Sequence, residues 1–565
     1  MPYDLQSLKV PQLSGKPLKT LVNLLENGYS RRLLESPLLK EGGLHRLRAL
    51  DIQELPTHQP KHPAGRAPSP EQARASLSVL HHDRYQAPET PGFRLPTAFD
   101  YARAYRAGDT TPVAIAEKII AAIRASNSGD KPLNAVINFN EQNILAQARE
   151  SLARIQTGRP LSVLDGVPVA IKDELDLVPY ATTVGTQVLG QDASAEQDAT
   201  AVARLRAAGA LFIGKTNMQE VGLGVTGANA HFGVCRNPYN PAHHTGGSSS
   251  GSAAAVAAGL CPIALGADGG GSVRIPAALC GVVGLKPTWS RVSEFGAAPL
   301  CWSVAHVGPI GASVDDVALA YSLIAGPDTH DPWSLEQPAV HLQDYLKPKL
   351  EDVRFGVYLP WFNHGSRDLV QTCQLALERL KSRGATMHHI EIGQLDAQRL
   401  AHTVTIASEM LAALDGSYRR ERGRFGLETR LNLALAHAFS SRDYIKSQQI
   451  RTYAIRQFQQ AFQKVDVIVT PTTGIAAPRI NEKALPEGES NLGVLTELMR
   501  FATPANLTGY PALTLPVGYT PDGLPIGLQL IGRPWEEHLL LRVARNLEQL
   551  IERKRPTILH ELLAR

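Results

Sequence analysis

Cysteine is scarce and never closely paired in this chain. Cys235, Cys261, Cys280, Cys301 and Cys373 form no CxxC motif, which argues against a disulfide scaffold or a cysteine-built zinc site and fits a reducing compartment. No run of about 18 apolar residues occurs, so no transmembrane helix is predicted. The opening Met1-Pro2-Tyr3-Asp4 lacks a basic segment followed by an apolar core, so no secretory signal is predicted and a cytoplasmic location is expected. Without such a signal, Asn506-Leu507-Thr508 reads as a chance glycosylation sequon. A long basic run is missing too. The 57 Lys+Arg and 53 Asp+Glu are interspersed and leave a net charge of +4, which argues against a dedicated nucleic-acid binder. What the chain does have is apolar matter. At 43% hydrophobic over 565 residues it can build a large core, and disorder is excluded as its dominant state.

Residues 1–55 are leucine-rich. Leu18, Leu21, Leu24 and Leu25 recur at helical spacing, Leu33, Leu34, Leu38 and Leu39 follow, and Lys16, Lys19, Arg31, Arg32 and Lys40 interleave. Two readings stay open: helices that pack on the main body or build a homodimer, or a peripheral membrane contact at a lipid-substrate entrance. Pro56, Pro60, Pro63, Pro68 and Pro70 mark 56–72 as a linker or surface arm. The division expected is a helical extension with a Pro-rich arm over 1–95 and a catalytic domain over 96–565. In the latter, helical patterns at 97–107, 112–126, 140–157, 197–207, 251–259, 314–325, 367–383, 441–464 and 536–552 alternate with apolar strands at 167–171, 210–213, 466–469 and 512–515. This alternation predicts an α/β fold: a large mixed β-sheet core covered by helices on both faces.

Two motif matches fail on context. Gly209 to Thr216 fits the P-loop pattern, but the interval between its glycines is four apolar residues that read as a strand, not a phosphate cradle. Gly247-Ser-Ser-Ser-Gly251 fits a nucleophile elbow, but residues 237–245 before it read as loop where a strand is required. The dense run from Thr245 to Thr288 holds Thr245-Gly-Gly-Ser-Ser-Ser-Gly-Ser252, an Ala-rich helix, and Gly266-Ala-Asp-Gly-Gly-Gly-Ser-Val-Arg-Ile-Pro276. Small residues this dense let backbone approach a reacting group. Successive N–H groups of Gly269, Gly270, Gly271 and Ser272 could form an anion-binding nest. The alternative is a tight structural turn.

This run, with Gly166-Val-Pro-Val-Ala-Ile-Lys172-Asp173 upstream, resembles the amidase signature family. Within it, Gly269 to Pro276, Thr470 to Gly474, Gly523 to Gln529 and Gly532 to Trp535 look like the plant-type fatty acid amide hydrolases. So does the N-terminal stretch Pro11-Gln-Leu-Ser-Gly15 leading to Leu21-Val-Asn-Leu-Leu-Glu26. The resemblance implies a serine amidase acting on N-acyl amides such as N-acylethanolamines. General or aryl-amide amidase, or the glutaminase subunit of an amidotransferase, are the alternatives. No cofactor and no metal are implied, and the partner is a small acyl amide.

The resemblance also implies roles. Ser272 is the nucleophile, Ser248, on a cis peptide with Gly247, is the proton shuttle, and Lys172 is the base. The N–H groups of Gly269, Gly270, Gly271 and Ser272 form the oxyanion hole. Ser249, Asp268 and Arg274 support the loop, the last two as a buried brace or an ordinary ion pair. No histidine falls within these loops, and His243 and His244 just upstream are the only close ones. A serine hydroxyl needs a base to attack an amide, and burial is the expected means of keeping a lysine neutral. Lys215 and Lys286 read as structural or surface lysines.

Overall fold

Strands buried along their whole length organise the fold. Every residue of Pro168–Lys172, Leu211–Thr216, Ile263–Ala267, Val467–Pro471 and Pro525–Gly532 is buried. Successive side chains point to opposite faces, so both faces of the sheet are covered. The computed structural model describes residues 3–563 apart from 8–11, 66–67, 82–83, 191–192 and 486. Met1, Pro2 and Pro11 of the motifs above lie outside the described residues.

Eleven strands form one mixed sheet, in the order Thr386–His389, Arg354–Val357, Val467–Pro471, Pro525–Gly532, Ala512–Tyr519, Val283–Lys286, Val307–Gly311, Ile263–Ala267, Pro168–Lys172, Leu211–Thr216 and Val136–Asn138. Pro168–Lys172 pairs in parallel with both Leu211–Thr216 and Ile263–Ala267. The carboxyl ends of these three strands therefore open on one side, the usual place for ligands in open α/β sheets. The supposed P-loop interval is indeed strand. Residues 237–245 are not plain loop: Asn240–His244 pairs with Arg236–Asn237 as a two-stranded ribbon outside the main sheet. The Asn237 side chain tightens this turn, accepting from Tyr239 N–H at 3.0 Å and donating to His244 O at 3.1 Å.

The helices that were predicted fall close to their spans, but several were not, among them Leu395–Glu421, the longest described, and Leu427–Ala436. The extension packs on both. Leu18, Val22 and Leu25 of helix Gly15–Glu26 bury against Leu431 and Ala434, and Glu26 pairs with Arg430 at 2.7 Å. Leu24, grouped with that face by spacing, points outward. Leu44 and Leu47 bury against Leu400, Val404, Ile450 and Ala454. The Pro-rich arm is tied down by His62, whose ring lies 2.7 Å from Thr508 O, and by Trp535 Nε1 donating to Pro63 O at 3.0 Å. It becomes helical at Pro70–Leu77, where Pro70 follows the Ser69 cap. No described helix is long and apolar enough to cross a membrane.

Candidate active site

The lysine and both serine loops meet where the parallel strands end. Lys172 closes its strand, 1% exposed. Its Nζ donates to Ser248 Oγ at 2.8 Å and to Ala267 O at 3.2 Å. Ala267 ends the neighbouring strand, and the Asp268–Ser272 loop starts there. Ser248 sits just before helix Ser250–Ala257, and the Gly247–Ser248 peptide is cis. The close fit of that helix explains its small residues: a Cβ at Gly251 would lie 2.2 Å from Ala135 O. The two serine loops are linked through backbone, with Ser249 N–H donating to Ser272 O at 3.2 Å. The Ser249 hydroxyl lies 3.3 Å from both the N–H and the carbonyl of Ala267.

Ser272 is buried, and its hydroxyl makes no hydrogen bond to a described residue. In the loop before it, the Gly271 N–H donates to Asp268 Oδ1 at 2.6 Å. The N–H groups of Gly269, Gly270 and Ser272 make no hydrogen bond among the described residues. Gly271 itself has φ +115, and a Cβ there would meet Ile275 Cδ1 at 2.6 Å and Ala502 Cβ at 2.7 Å. Only glycine serves at that turn.

Asp268 and Arg274 form a fully buried bidentate pair, with both contacts at 3.0 Å. Asn506 Nδ2 donates to Asp268 Oδ1 at 2.9 Å, and Gln529 Oε1 accepts from Arg274 at 2.6 Å. Burial alone would push the Asp268 carboxyl up, but Arg274 and Asn506 override it and hold the group well below the usual carboxylate range. Removing one partner of a buried pair strands the other charge, at a cost of about 3–5 kcal/mol. Arg274→Ala is therefore expected to lose stability of that order in denaturant unfolding. A carboxyl held low stabilises the fold above its unfolded pKa and releases that stability only as pH falls through its folded one. In the variant burial acts on the Asp268 carboxyl without Arg274 and pushes it up, so it takes a proton before the unfolded chain does, and the gap between wild type and variant should be widest at neutral pH and begin to narrow above the ordinary carboxylate range.

Several residues at the site carried no sequence signal. Glu174 Oε2 lies 2.6 Å from Lys172 Nζ, with both side chains buried. His402, on the unpredicted long helix, reaches Gly269 O at 2.7 Å. Burial lowers its imidazole to about 4, so the ring is neutral at pH 7 and holds the loop through Nε2–H. Asn506, the residue of the chance sequon, is fully buried against Asp268. Lys215 is structural, donating to Leu175 O at 2.6 Å and pairing with Asp173 at 3.4 Å. Lys286 is buried as well, so neither is a surface lysine. His243 and His244 hydrogen-bond to neither serine side chain.

An apolar wall flanks Ser248. A Cβ at Gly222 would lie 3.6 Å from Ser248 Oγ, 3.7 Å from Met410 Cε and 3.9 Å from Leu300 Cδ1. Met410 and Leu300 belong to a cluster with Val221, Leu414, Phe425 and Leu433.

Comparison with known proteins agrees with this geometry. The Amidase family profile matches residues 117–541. The chain is 43% identical over 592 residues to "Fatty acid amide hydrolase" of Oryza sativa subsp. indica, covering 99% of this chain and 96% of that one. It is 37% identical over 468 residues to a glutamyl-tRNA(Gln) amidotransferase component of Symbiobacterium thermophilum, covering 78% and 94%. Native peptide amidase from Stenotrophomonas maltophilia superposes with a TM-score of 0.70 at 30% identity, covering 81% of this chain and 98% of that one. The chain belongs to the amidase signature family and hydrolyses carbon–nitrogen amide bonds.

Proposed function

We propose that the substrates are long-chain N-acyl amides, such as N-acylethanolamines, cleaved through an acyl-enzyme on Ser272. The observation that carries this reading is the apolar cluster of Leu300, Met410, Leu414 and Phe425 beside Ser248, which continues through helix Leu427–Ala436 to the leucines of the N-terminal extension. An acyl chain buried there gains about 0.8 kcal/mol per CH₂. The rice hydrolase spans nearly the whole chain, extension included, whereas the amidotransferase component matches 78% of it. This favours the amide hydrolase over a glutaminase of an amidotransferase complex. The test is turnover of N-acylethanolamines of graded length against glutamine and anilides. A kcat/KM that rises steadily with chain length supports the reading, and a preference for glutamine or anilides overturns it.

In the chemistry we assign, Ser272 Oγ attacks the amide carbonyl while Ser248 takes its proton and passes one to Lys172. Ser248 then returns a proton to the departing amine, and water releases the acid. The free N–H groups of Gly269, Gly270 and Ser272 would receive the oxyanion, each worth about 3–4 kcal/mol if it resembles such a donor elsewhere. Gly271, bound to Asp268, shapes the loop. Asp268, Arg274 and Ser249 hold the loop without touching substrate.

Glu174 acts as a positioning residue that fixes Lys172 Nζ within reach of Ser248. Glu174→Ala is expected to lower kcat with KM nearly unchanged, and Glu174→Gln, which keeps an acceptor of the same shape, to recover most of the loss. Equal losses in both variants would show that shape and hydrogen bonding are not what Glu174 supplies.

We take residues 1–95 as the extension and 96–565 as the catalytic domain. The outer side of the extension presents Leu24, Tyr29 and Leu33, which are 42%, 82% and 68% exposed, near exposed Lys16, Lys19 and Arg32. An apolar surface ringed by cations suits an anionic lipid interface. Deleting residues 1–55 is therefore expected to raise KM for long acyl amides far more than for short ones. A proportional loss for both lengths in a folded truncation would make the segment scaffold or a dimer element.

A further inference from the structure

Next to Lys172 lies a cavity of about 240 Å³ that neither Ser248 nor Ser272 lines, far larger than the 10–15 Å³ or so a single water needs. It shares Glu174 and Ala267 with the lysine's own surroundings. Trp289, Trp302 and Trp333 also line it, with the Trp289 and Trp333 rings 5.8 Å apart. Trp302 and Trp333 are part-exposed, so this side faces solvent. The remaining acids on the wall are Glu294 and Asp331, His330 also lines it, and no lysine or arginine does among the described residues.

Two buried polar atoms of the lining lack protein partners. His306 Nδ1 lies 2.8 Å from Val304 O, and its Nε2 has no hydrogen-bond partner. A neutral imidazole donating through Nδ1 presents a bare acceptor at Nε2. Ser290 Oγ, buried on the same wall, is also without a partner. Burial, with Asp331, Glu174 and Glu409 nearby, pushes the Glu294 carboxyl well above its ordinary range, and an ammonium ion seated against it would favour its ionised form. Carboxyl groups and an open acceptor beside three indoles match the chemistry of an organic cation, which aromatic rings attract over their faces and acids pair with directly.

We infer that this chamber binds a small organic ammonium ion, held by the indoles and Glu294, with Glu174 shared between that ion and Lys172. The amine released by amide hydrolysis is one such ion, and a quaternary ammonium is another. The link to the released amine rests on the proposed function, but the binding itself does not.

Titration calorimetry of the full chain tests the inference, using ethanolamine hydrochloride and tetramethylammonium chloride against sodium chloride at equal ionic strength. Saturable binding of either organic cation at one site per chain is expected, with Trp333→Ala and Glu294→Gln each weakening it by about tenfold. Trp333 is part-exposed and Glu294→Gln is isosteric, so both variants should fold. Ser272→Ala is expected to bind like wild type, which separates this site from the nucleophile assignment. Preference for ethanolamine would assign the chamber to the released amine, and preference for tetramethylammonium to a quaternary ligand. Heats that match sodium chloride, or saturable binding that survives both substitutions, would overturn the inference.

Discussion

Ser272→Ala is expected to abolish amide hydrolysis and covalent labelling by a fluorophosphonate while leaving the fold unchanged. The second half of that expectation comes from the hydrogen bonds. The Ser272 hydroxyl has no partner among the described residues, so its removal leaves no buried donor or acceptor stranded. What holds residue 272 is backbone: the Ser249 N–H on its carbonyl, and a loop pinned by Gly271 N–H on Asp268. Alanine keeps all of this. The thermal midpoint and far-ultraviolet spectrum should therefore match wild type while the rate falls to background. In serine hydrolases, groups that act together lose nearly all their effect when one is removed, so Ser248→Ala should be almost as severe. Retained labelling in Ser272→Ala would move the nucleophile elsewhere, and Ser248 would be the first place to look.

The sequence made the sheet and the serine loops legible for different reasons. Strands such as Pro168–Lys172 and Leu211–Thr216 are buried on both faces, and 167–171 and 210–213 read as unbroken apolar runs. The glycine–serine loops stand out because close backbone approach admits few other residues. Helix Leu395–Glu421 was illegible because its buried side is not apolar: His402, Thr405 and Glu409 sit in the interior beside Leu400 and Val404. Their polarity breaks the periodicity by which a packed helix is recognised. That same helix supplies His402 to the Gly269–Ser272 loop and Met410 to the apolar wall. Glu174 was invisible for a simpler reason. It stands among Asp173, Asp176 and other ordinary acids, and only the turn after the lysine strand brings its carboxylate back to Nζ. At Leu24 the spacing was right but the phase was off by a residue: Val22 took the buried place and Leu24 the exposed one.

Lys172 calls for a test that separates charge balance from chemistry. Its Nζ is shared among Ser248 Oγ, Ala267 O and Glu174 Oε2. A truncation would therefore remove the base and also leave the Glu174 carboxylate buried alone, which costs about 3–5 kcal/mol. Lys172→Met, nearly the same length, is expected to lower hydrolysis by about 10²–10⁴-fold, the usual worth of a positioned base, and also to lower the unfolding midpoint. Adding Glu174→Gln removes the stranded charge, so Lys172→Met/Glu174→Gln should regain most of the stability. It should regain none of the activity, because no group is left to take the proton from Ser248. The coupling between positions 172 and 174 would then be large in stability and absent in rate, as a double-mutant cycle reads it. If the double variant instead recovers hydrolysis along with stability, Lys172 serves only to balance Glu174, and the proton from Ser248 goes to another acceptor.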